Sequence, residues 1–255
     1  MTPRLLLLHG FLSGSAAFDG LRAMLGDEAV SLAPDLPGYG DAPGPKSPRE
    51  YTLNLLADAI EPILALEQPT HVLGHSMGGI VALELARRHP GAFTRVGIAG
   101  LPIYESRSDA LRYLHRRGTF YRMVLHSHRT SHLACEAMSA SRWGWGILPP
   151  LVGRGQPRRH MEASVRHSQA AHEGALEGVI FAGLVAGLAR ETRSPVELLH
   201  GDRDPSAPVR RVETLATATG WGLTLVRGGR HQVVITQPDL AAAWVRERVL
   251  GDGAL

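Results

Sequence analysis

The sequence predicts an α/β protein in which a mainly parallel sheet of about six strands is flanked by helices and carries an inserted helical lid. Short apolar runs alternate with segments of helical spacing toward both ends of the 255-residue chain, the pattern of strands joined by helical crossovers. Polar residues and glycines follow directly after these runs, where the carboxyl ends of parallel strands meet at one edge of a sheet. A segment, 102–172, interrupts the alternation and is too long for a loop.

The individual elements follow from the apolar pattern taken in chain order. The first run, 5–8, contains only leucine and predicts a central strand with both faces buried. The predicted strands are 5–8, 29–32, 70–73, 95–99, 196–200 and 223–226, and the predicted helices are 16–25, 51–66, 80–89, 208–219 and 239–249. Pro62 is expected to bend the helix 51–66. The glycine-containing run 174–189 includes Glu177 and predicts a buried helix rather than a membrane span.

The interrupting segment also differs in composition, since 102–172 holds seven of the 13 histidines. Between 102 and 180, 11 arginines stand against six acidic residues. We therefore predict a core of residues 1–101 and 173–255, with residues 102–172 as a helical lid over the strand ends. The arginines form either a solvated face or a site for a carboxylate or phosphate. Four aromatic side chains either line an apolar pocket or form the lid core: Phe120, Tyr121, Trp143 and Trp145.

Composition argues against several classes of protein. The net charge of +3 comes without a polybasic run or a nucleic-acid-binding module, so nucleic acid is not an expected partner. No uncharged apolar run is long enough for a membrane span, and the N-terminal run is too short for a signal peptide. We expect a cytoplasmic protein that acts on a small molecule, and the single cysteine, Cys135, agrees with a reducing compartment. The sequence does not determine the oligomeric state.

The motif GHSMGG, residues 74–79, stands between a predicted strand and a predicted helix. This setting favours a sharp turn that presents Ser76 as a nucleophile at the edge of the sheet. Glycines at 74 and 78 remove the Cβ atoms that would block so tight a bend. The Met77 N–H lies at the start of the helix, where unpaired amides stabilise negative charge.

Four motifs stand in a fixed order along the chain: LLLLHGF (5–11), DLPGYG (35–40), GHSMGG (74–79) and HGDRDPSAP with RHQ (200–208 and 230–232). In these motifs and their order, over residues 4–101 and 195–250, the chain resembles the α/β-hydrolase superfamily, within which no subfamily is identified. The resemblance implies Ser76 as the nucleophile, Asp204 as the acid and His231 as the base, with a lid-bearing serine hydrolase as the expected type.

The resemblance leaves the acid with alternatives. The family spacing favours Asp204, which would make Asp202 a turn residue that caps backbone amides. Glu105 is an outside candidate, because some members carry the acid after the strand that ends near residue 99. Asp35 is expected to fix the geometry of its turn.

The resemblance also implies an oxyanion hole formed by the backbone N–H groups of Phe11 and Met77. His9 and His75 are expected to be structural. His128 and His132 are spaced for one helix face, close to His126, yet they lack the further ligands of a zinc site. We therefore expect no metal and no cofactor.

The expected function is a serine hydrolase that cleaves a carboxylic ester or related acyl compound through an acyl-enzyme, on a small and largely apolar substrate. An alternative that uses the same residues is a carbon–carbon bond hydrolase, or a lyase or cyclase, with an anionic substrate bound by lid arginines. A further alternative is a ligand-binding protein that has kept the fold without catalysis, because fold alone does not determine function.

Overall fold

The computed structural model describes residues 2–115 and 156–251. In this part of the chain six strands form one sheet: β1 (Arg4–Leu8), β2 (Val30–Leu32), β3 (His71–His75), β4 (Arg95–Ala99), β5 (Val196–Gly201) and β6 (Gly222–Val226). Their spatial order is β2-β1-β3-β4-β5-β6, and every neighbouring pair is parallel. The predicted α/β class with a parallel sheet of six strands is confirmed.

Helices flank this sheet, as the alternating pattern predicts. They are α1 (Asp19–Leu25), α2 (Leu53–Asp58), α3 (Glu61–Glu67), α4 (Met77–Arg88), α5 (Arg107–His115), α6 (Arg158–Ser164), α7 (Gln169–Ala175), α8 (Val185–Glu191), α9 (Val209–Thr219), α10 (Val233–Thr236) and α11 (Pro238–Trp244). Short 3₁₀ turns span Ser15–Phe18, Gly26–Glu28 and Pro48–Glu50, and π-helical turns span Leu176–Ile180 and Val245–Leu250.

The leucines of β1 show how the core is divided. Leu6 and Leu8 belong to one buried cluster, and Leu5 and Leu7 belong to the other. Successive side chains of a strand point to opposite faces, so the two clusters cover the two faces of the sheet. All four side chains are fully buried, in agreement with the central strand predicted from this run.

The predicted helix 51–66 consists of two shorter helices, α2 and α3. Ala59 and Ile60 form a turn between the two helices while keeping right-handed helical dihedral angles, and Pro62 lies in the first turn of α3. A proline at that position loses no hydrogen bond, because the first amides of a helix have no partner within it. The helix expected over 51–66 is thus interrupted close to Pro62, which lies at the start of its second part.

The predicted buried helix 174–189 is also interrupted. Gly183 has φ +72°, a conformation that a right-handed helix does not contain, and the helices on either side differ in direction by 58°. A Cβ at Gly178 would overlap the backbone of Tyr51, so this glycine does permit a close approach. No single helix among the described residues is long and apolar enough to cross a membrane, although this bent pair meets the length and composition criteria together.

The carboxyl ends of four strands converge on one edge of the sheet. Gly10 follows β1, Ser76 follows β3, Asp204 follows β5 and His231 lies in the loop after β6. A Cβ at Gly10 would lie 3.1 Å from the Cβ of Ser76, so the loops after β1 and β3 are in direct contact. This edge holds the site described next.

Candidate active site

Ser76 occupies a strained turn between β3 and α4. Its backbone has φ 53° and ψ −117°, a region that non-glycine residues adopt at a cost of about 1–3 kcal/mol. A Cβ at Gly74 would overlap the backbone of Gly78, and one at Gly78 would overlap the backbone of Leu8. The turn therefore requires glycine at the two positions that the motif supplies. Strain of this kind is retained where a side chain must be presented in one orientation.

His231 lies between Ser76 and Asp204 and is bonded to both. Its Nε2 is 3.0 Å from the Ser76 Oγ, and its Nδ1 is 2.7 Å from an Asp204 carboxylate oxygen. A carboxylate only accepts hydrogen bonds, so the Nδ1 carries the proton and the bare Nε2 accepts from the serine hydroxyl. This arrangement suits the transfer of a proton from Ser76 to His231.

The Asp204 carboxylate is fully buried and still charged. One of its oxygens accepts the backbone N–H groups of Ser206 at 2.7 Å and Ala207 at 2.9 Å. Burial acts to raise the pKa of Asp204, but the charge and hydrogen bond of His231, with smaller contributions from His200 and the Ala207 amide, outweigh it and lower the pKa. Asp204 is thus held as an anion in a fixed orientation beside the imidazole.

Two backbone amides were expected from the sequence to bind an oxyanion, those of Phe11 and Met77. The Phe11 N–H follows Gly10 in the loop after β1, and the Met77 N–H begins α4. Within the ranges 2–115 and 156–251, neither amide donates a hydrogen bond to another residue. Amides at a helix start and in a neighbouring loop are suited to bind an oxyanion.

Residues 5–244 match the family model described as Alpha/beta hydrolase family. The chain belongs to the alpha/beta hydrolase family. The superfamily indicated by the sequence motifs is therefore confirmed.

Two relatives of this hydrolase are esterases by name. The chain is 30% identical over 227 residues to the pimeloyl-(acyl-carrier protein) methyl ester esterase of Aromatoleum aromaticum, covering 84% of this chain and 85% of the relative. It is 26% identical over 260 residues to the protein of the same name from Methylococcus capsulatus, covering 96% and 94%. A solved hydrolase from Pseudomonas aeruginosa PA01 superimposes with a TM-score of 0.73 at 23% identity, over 96% of this chain and 88% of that chain, a likeness of fold.

The other acids considered from the sequence lie elsewhere in this hydrolase. Asp202 accepts the Gly228 N–H at 2.7 Å, and Asp35 accepts the Ser15 N–H at 2.7 Å, so both act on loop backbone. The Glu105 main chain donates to Asp109 at 3.1 Å. Among the described residues, none of these three carboxylates bonds to His231.

His9 and His75 are buried, as expected, and each joins two loops of the site. The His9 Nδ1 donates to the Gly10 carbonyl and its Nε2 accepts the Leu36 N–H, both at 2.9 Å. His75 donates from Nε2 to the main-chain carbonyl of His231 at 3.0 Å. Sequence reasoning missed this second contact, because 156 residues separate its partners.

Three further histidines lie on the β1 side of the site, and their proximity was not predicted from the sequence. We call His160, His167 and His172 the histidine group. His172 Nδ1 is 3.2 Å from His167 Nε2, the two rings stack at 5.3 Å, and His172 meets the Phe11 ring edge-on at 5.1 Å. Burial lowers the pKa of His160 and His167 to about 4 and that of His172 to about 3, with a neighbouring histidine adding to the effect at His160 and His172.

The described arginines of the predicted lid segment are paired with carboxylates. The pairs are Arg107 with Glu177, Arg112 with Asp109, Arg158 with Glu162, Arg159 with Asp19, and Arg166 with Asp41. Each guanidinium thus has a protein counter-ion, and the observation gives no support to an anion site in this part of the lid segment.

Some sequence-based hypotheses fall outside the described residues. These are the histidines considered for metal binding, His126, His128 and His132, the aromatic residues Phe120, Tyr121, Trp143 and Trp145, and Cys135. Within residues 2–115 and 156–251, no group of three or more His, Cys, Asp or Glu side chains is arranged to hold a metal ion.

Proposed function

We propose that this protein is a serine hydrolase that cleaves a carboxylic ester, or a related acyl compound, through an acyl-enzyme. The observation that carries the proposal is the Ser76 Oγ at 3.0 Å from His231 Nε2, with the opposite ring nitrogen 2.7 Å from the buried Asp204 carboxylate. Nucleophile, base and orienting acid are thereby within hydrogen-bonding reach in the order that acyl transfer needs.

The first half-reaction forms the acyl-enzyme. The Ser76 Oγ attacks the ester carbonyl carbon while its proton passes to His231 Nε2, and Asp204 stabilises the resulting imidazolium. The carbonyl oxygen becomes an oxyanion that accepts hydrogen bonds from the N–H groups of Phe11 and Met77. Collapse of this intermediate breaks the bond to the alcohol, which leaves with the proton from His231.

The second half-reaction returns the enzyme to its starting state. His231 removes a proton from water, and the hydroxide oxygen attacks the acyl carbon on Ser76. The oxyanion forms again at the same amides and then collapses, which releases the carboxylic acid. The Ser76 oxygen recovers its proton from His231. No step requires a group other than these side chains, two amides and water.

The substrate class follows from the relatives and from the predicted lid. Both esterases named above act by name on the methyl ester of an acyl chain held on acyl-carrier protein. We propose an ester of a small alcohol with a largely apolar acyl chain, free or carried on such a protein. Residues 102–172 would form the lid that selects this chain. In support, α6 packs on the loop after β1, where a Cβ at Gly14 would lie 3.2 Å from the Cβ of Ala163.

Activity and covalent trapping of Ser76→Ala test the proposal. With methyl and aryl esters of increasing acyl length, the variant should lose activity by about 10³-fold or more, while the exposed Ser108→Ala control retains it. A fluorophosphonate should add to Ser76 of the wild type, and an aryl ester should give a burst of product. Full activity of a folded Ser76→Ala protein would refute the proposal.

The alternatives give different results in the same experiment. A carbon–carbon hydrolase or lyase loses activity with its own substrate in both Ser76→Ala and His231→Gln variants, yet no acyl-enzyme is trapped. A ligand-binding protein turns over none of the esters in either form. The paired arginines described above favour neither alternative.

A further inference from the structure

His75 makes a long-range contact with the residue proposed as the base. It is the last residue of β3, immediately before Ser76, and the residue is 3% exposed. Its Nε2 is 3.0 Å from the main-chain oxygen of His231, and the two rings lie 5.2 Å apart. One buried side chain thus joins the turn that presents Ser76 to the loop that carries His231.

The chemistry of this contact fixes the state of the His75 ring. A carbonyl oxygen only accepts hydrogen bonds, so the Nε2 of His75 must carry a proton. Burial, with the nearby charge of His231, lowers the pKa of His75 to about 3, which keeps the ring neutral at ordinary pH. The Nδ1 is then bare, and among the described residues it has no hydrogen-bond partner. His75 is a single-donor group aimed at one carbonyl.

The main chain of His231 has little other support. Within the described ranges, no backbone amide donates to the His231 carbonyl, and the His231 N–H donates to no backbone acceptor. Gly100 lies close to the same carbonyl, since a Cβ at Gly100 would be 3.1 Å from the His231 oxygen. The side chain is held by Asp204 and Ser76, whereas the backbone is held by His75.

We propose that His75 is a positioning residue for His231: its Nε2–H anchors the His231 carbonyl and so keeps the imidazole in line between Asp204 and Ser76. The inference rests on the proposed function, because it assigns His75 a part in that proton transfer. Since His75 adjoins Ser76 in the chain, the anchor sets the position of the base relative to the nucleophile. Loss of the anchor should slow the chemical step more than it weakens substrate binding.

Three substitutions at position 75 separate the hydrogen bond from the shape of the ring. The amide nitrogen of glutamine reaches approximately the position of Nε2, whereas that of asparagine reaches the position of Nδ1. His75→Gln therefore keeps the donor, and His75→Asn and His75→Phe lose it. We expect kcat to fall about 10- to 100-fold in the Asn and Phe variants, since misplacement by about 1 Å has an effect of this size. KM should stay within about twofold, and His75→Gln should stay within about threefold of wild type.

A second readout does not depend on the ester chosen. The rate of Ser76 phosphonylation should fall with kcat in the Asn and Phe variants, and the downfield proton signal of the His231–Asp204 hydrogen bond should broaden or shift. A purely structural role would lower the thermal midpoint of all three variants and leave kcat of the folded fraction unchanged. Equal kcat for the Gln and Phe variants would overturn the inference. Ser76→Ala tests the proposed function separately. If the proposed function is wrong, the protein has no Ser76-dependent ester hydrolysis that substitutions of His75 could slow.

Discussion

Two sets of histidines flank Ser76 and differ in what surrounds them. His231, on the β6 side, has a buried carboxylate on one ring nitrogen and a serine hydroxyl on the other. In the histidine group, on the β1 side, burial is the main influence on the rings and lowers the pKa of all three members. Both sets are near the site, and His231 is the one proposed to move a proton, because it contacts both Ser76 and Asp204.

The difference shows that burial and proximity do not by themselves make a histidine a base. Burial alone disfavours the charged ring, so the histidine group is held neutral well below the pH at which a free histidine is protonated. A buried anion reverses this preference and stabilises the imidazolium that forms during proton transfer. Asp204 supplies that anion to His231 at 2.7 Å, whereas burial and a neighbouring histidine both disfavour the charged ring at His160 and His172.

Removing the charge of Asp204 should have the largest effect. In Asp204→Asn the amide no longer enforces the Nδ1–H form of His231, and kcat should fall by about 10⁴-fold, the order observed for such triads. The matched control is Asp202→Asn, the same change two residues earlier, where the carboxylate caps the exposed Gly228 amide. That variant should keep activity within about twofold. An equal loss of kcat/KM in both variants, measured with one ester, would contradict the assignment of Asp204 rather than Asp202 as the acid.

Adding a side chain at position 100, next to His231, should have the next largest effect. Gly100 has φ +64°, and a Cβ there would lie 3.1 Å from the His231 oxygen and 3.2 Å from Nδ1. Gly100→Ala should lower kcat about 10- to 100-fold by displacing the imidazole. Gly91→Ala is the control, since Gly91 has φ +86° with nothing within 4 Å of the added Cβ. Both variants should lose about 1 kcal/mol of stability from backbone strain, and only the first should lose activity.

The sequence predicted those parts of the site that depend on residues close to one another in the chain. Ser76 and its two glycines fall within five consecutive residues, and the turn they form allows few other residues at 74 and 78. The choice between Asp204 and Asp202 was harder, because both lie in one turn and either carboxylate is consistent with the spacing. Resemblance favoured Asp204, and in the structure that carboxylate contacts His231.

Contacts across the chain could not be predicted in this way. His75 and His231 meet across 156 residues, and His172 meets Phe11 only because α7 folds back over the loop after β1. The helix break at Gly183 was missed for a different reason. A glycine is compatible with both a helix and a positive φ, and the choice depends on the packing of the Gly183 position against the Glu105 backbone.

The neutral histidines predict that the protein loses stability in mild acid. Between about pH 6.5 and pH 4 the unfolded chain binds protons at His160, His167 and His172 that the folded protein does not bind, so unfolding becomes more favourable as pH falls. Each of these histidines should contribute up to about 1.4 kcal/mol per pH unit. Urea unfolding at several pH values between 7.5 and 5 measures the slope. A free energy of unfolding that does not change over this range would contradict the neutral state.

The smallest effect on activity is expected from removing the hydrogen bond between His172 and His167 in the histidine group. His172→Phe keeps a ring against Phe11 and deletes the donor to His167 Nε2, so kcat/KM should stay within about threefold. Stability at pH 7.5 should fall by about 1 kcal/mol through the lost hydrogen bond. The dependence of stability on pH should become shallower, because one fewer histidine must be kept neutral. The same change at His231 removes the proposed proton acceptor and should abolish ester hydrolysis. If both phenylalanine variants are folded and inactive, the histidine group takes part in the reaction. His231 would then not be the only histidine near Ser76 that the reaction needs.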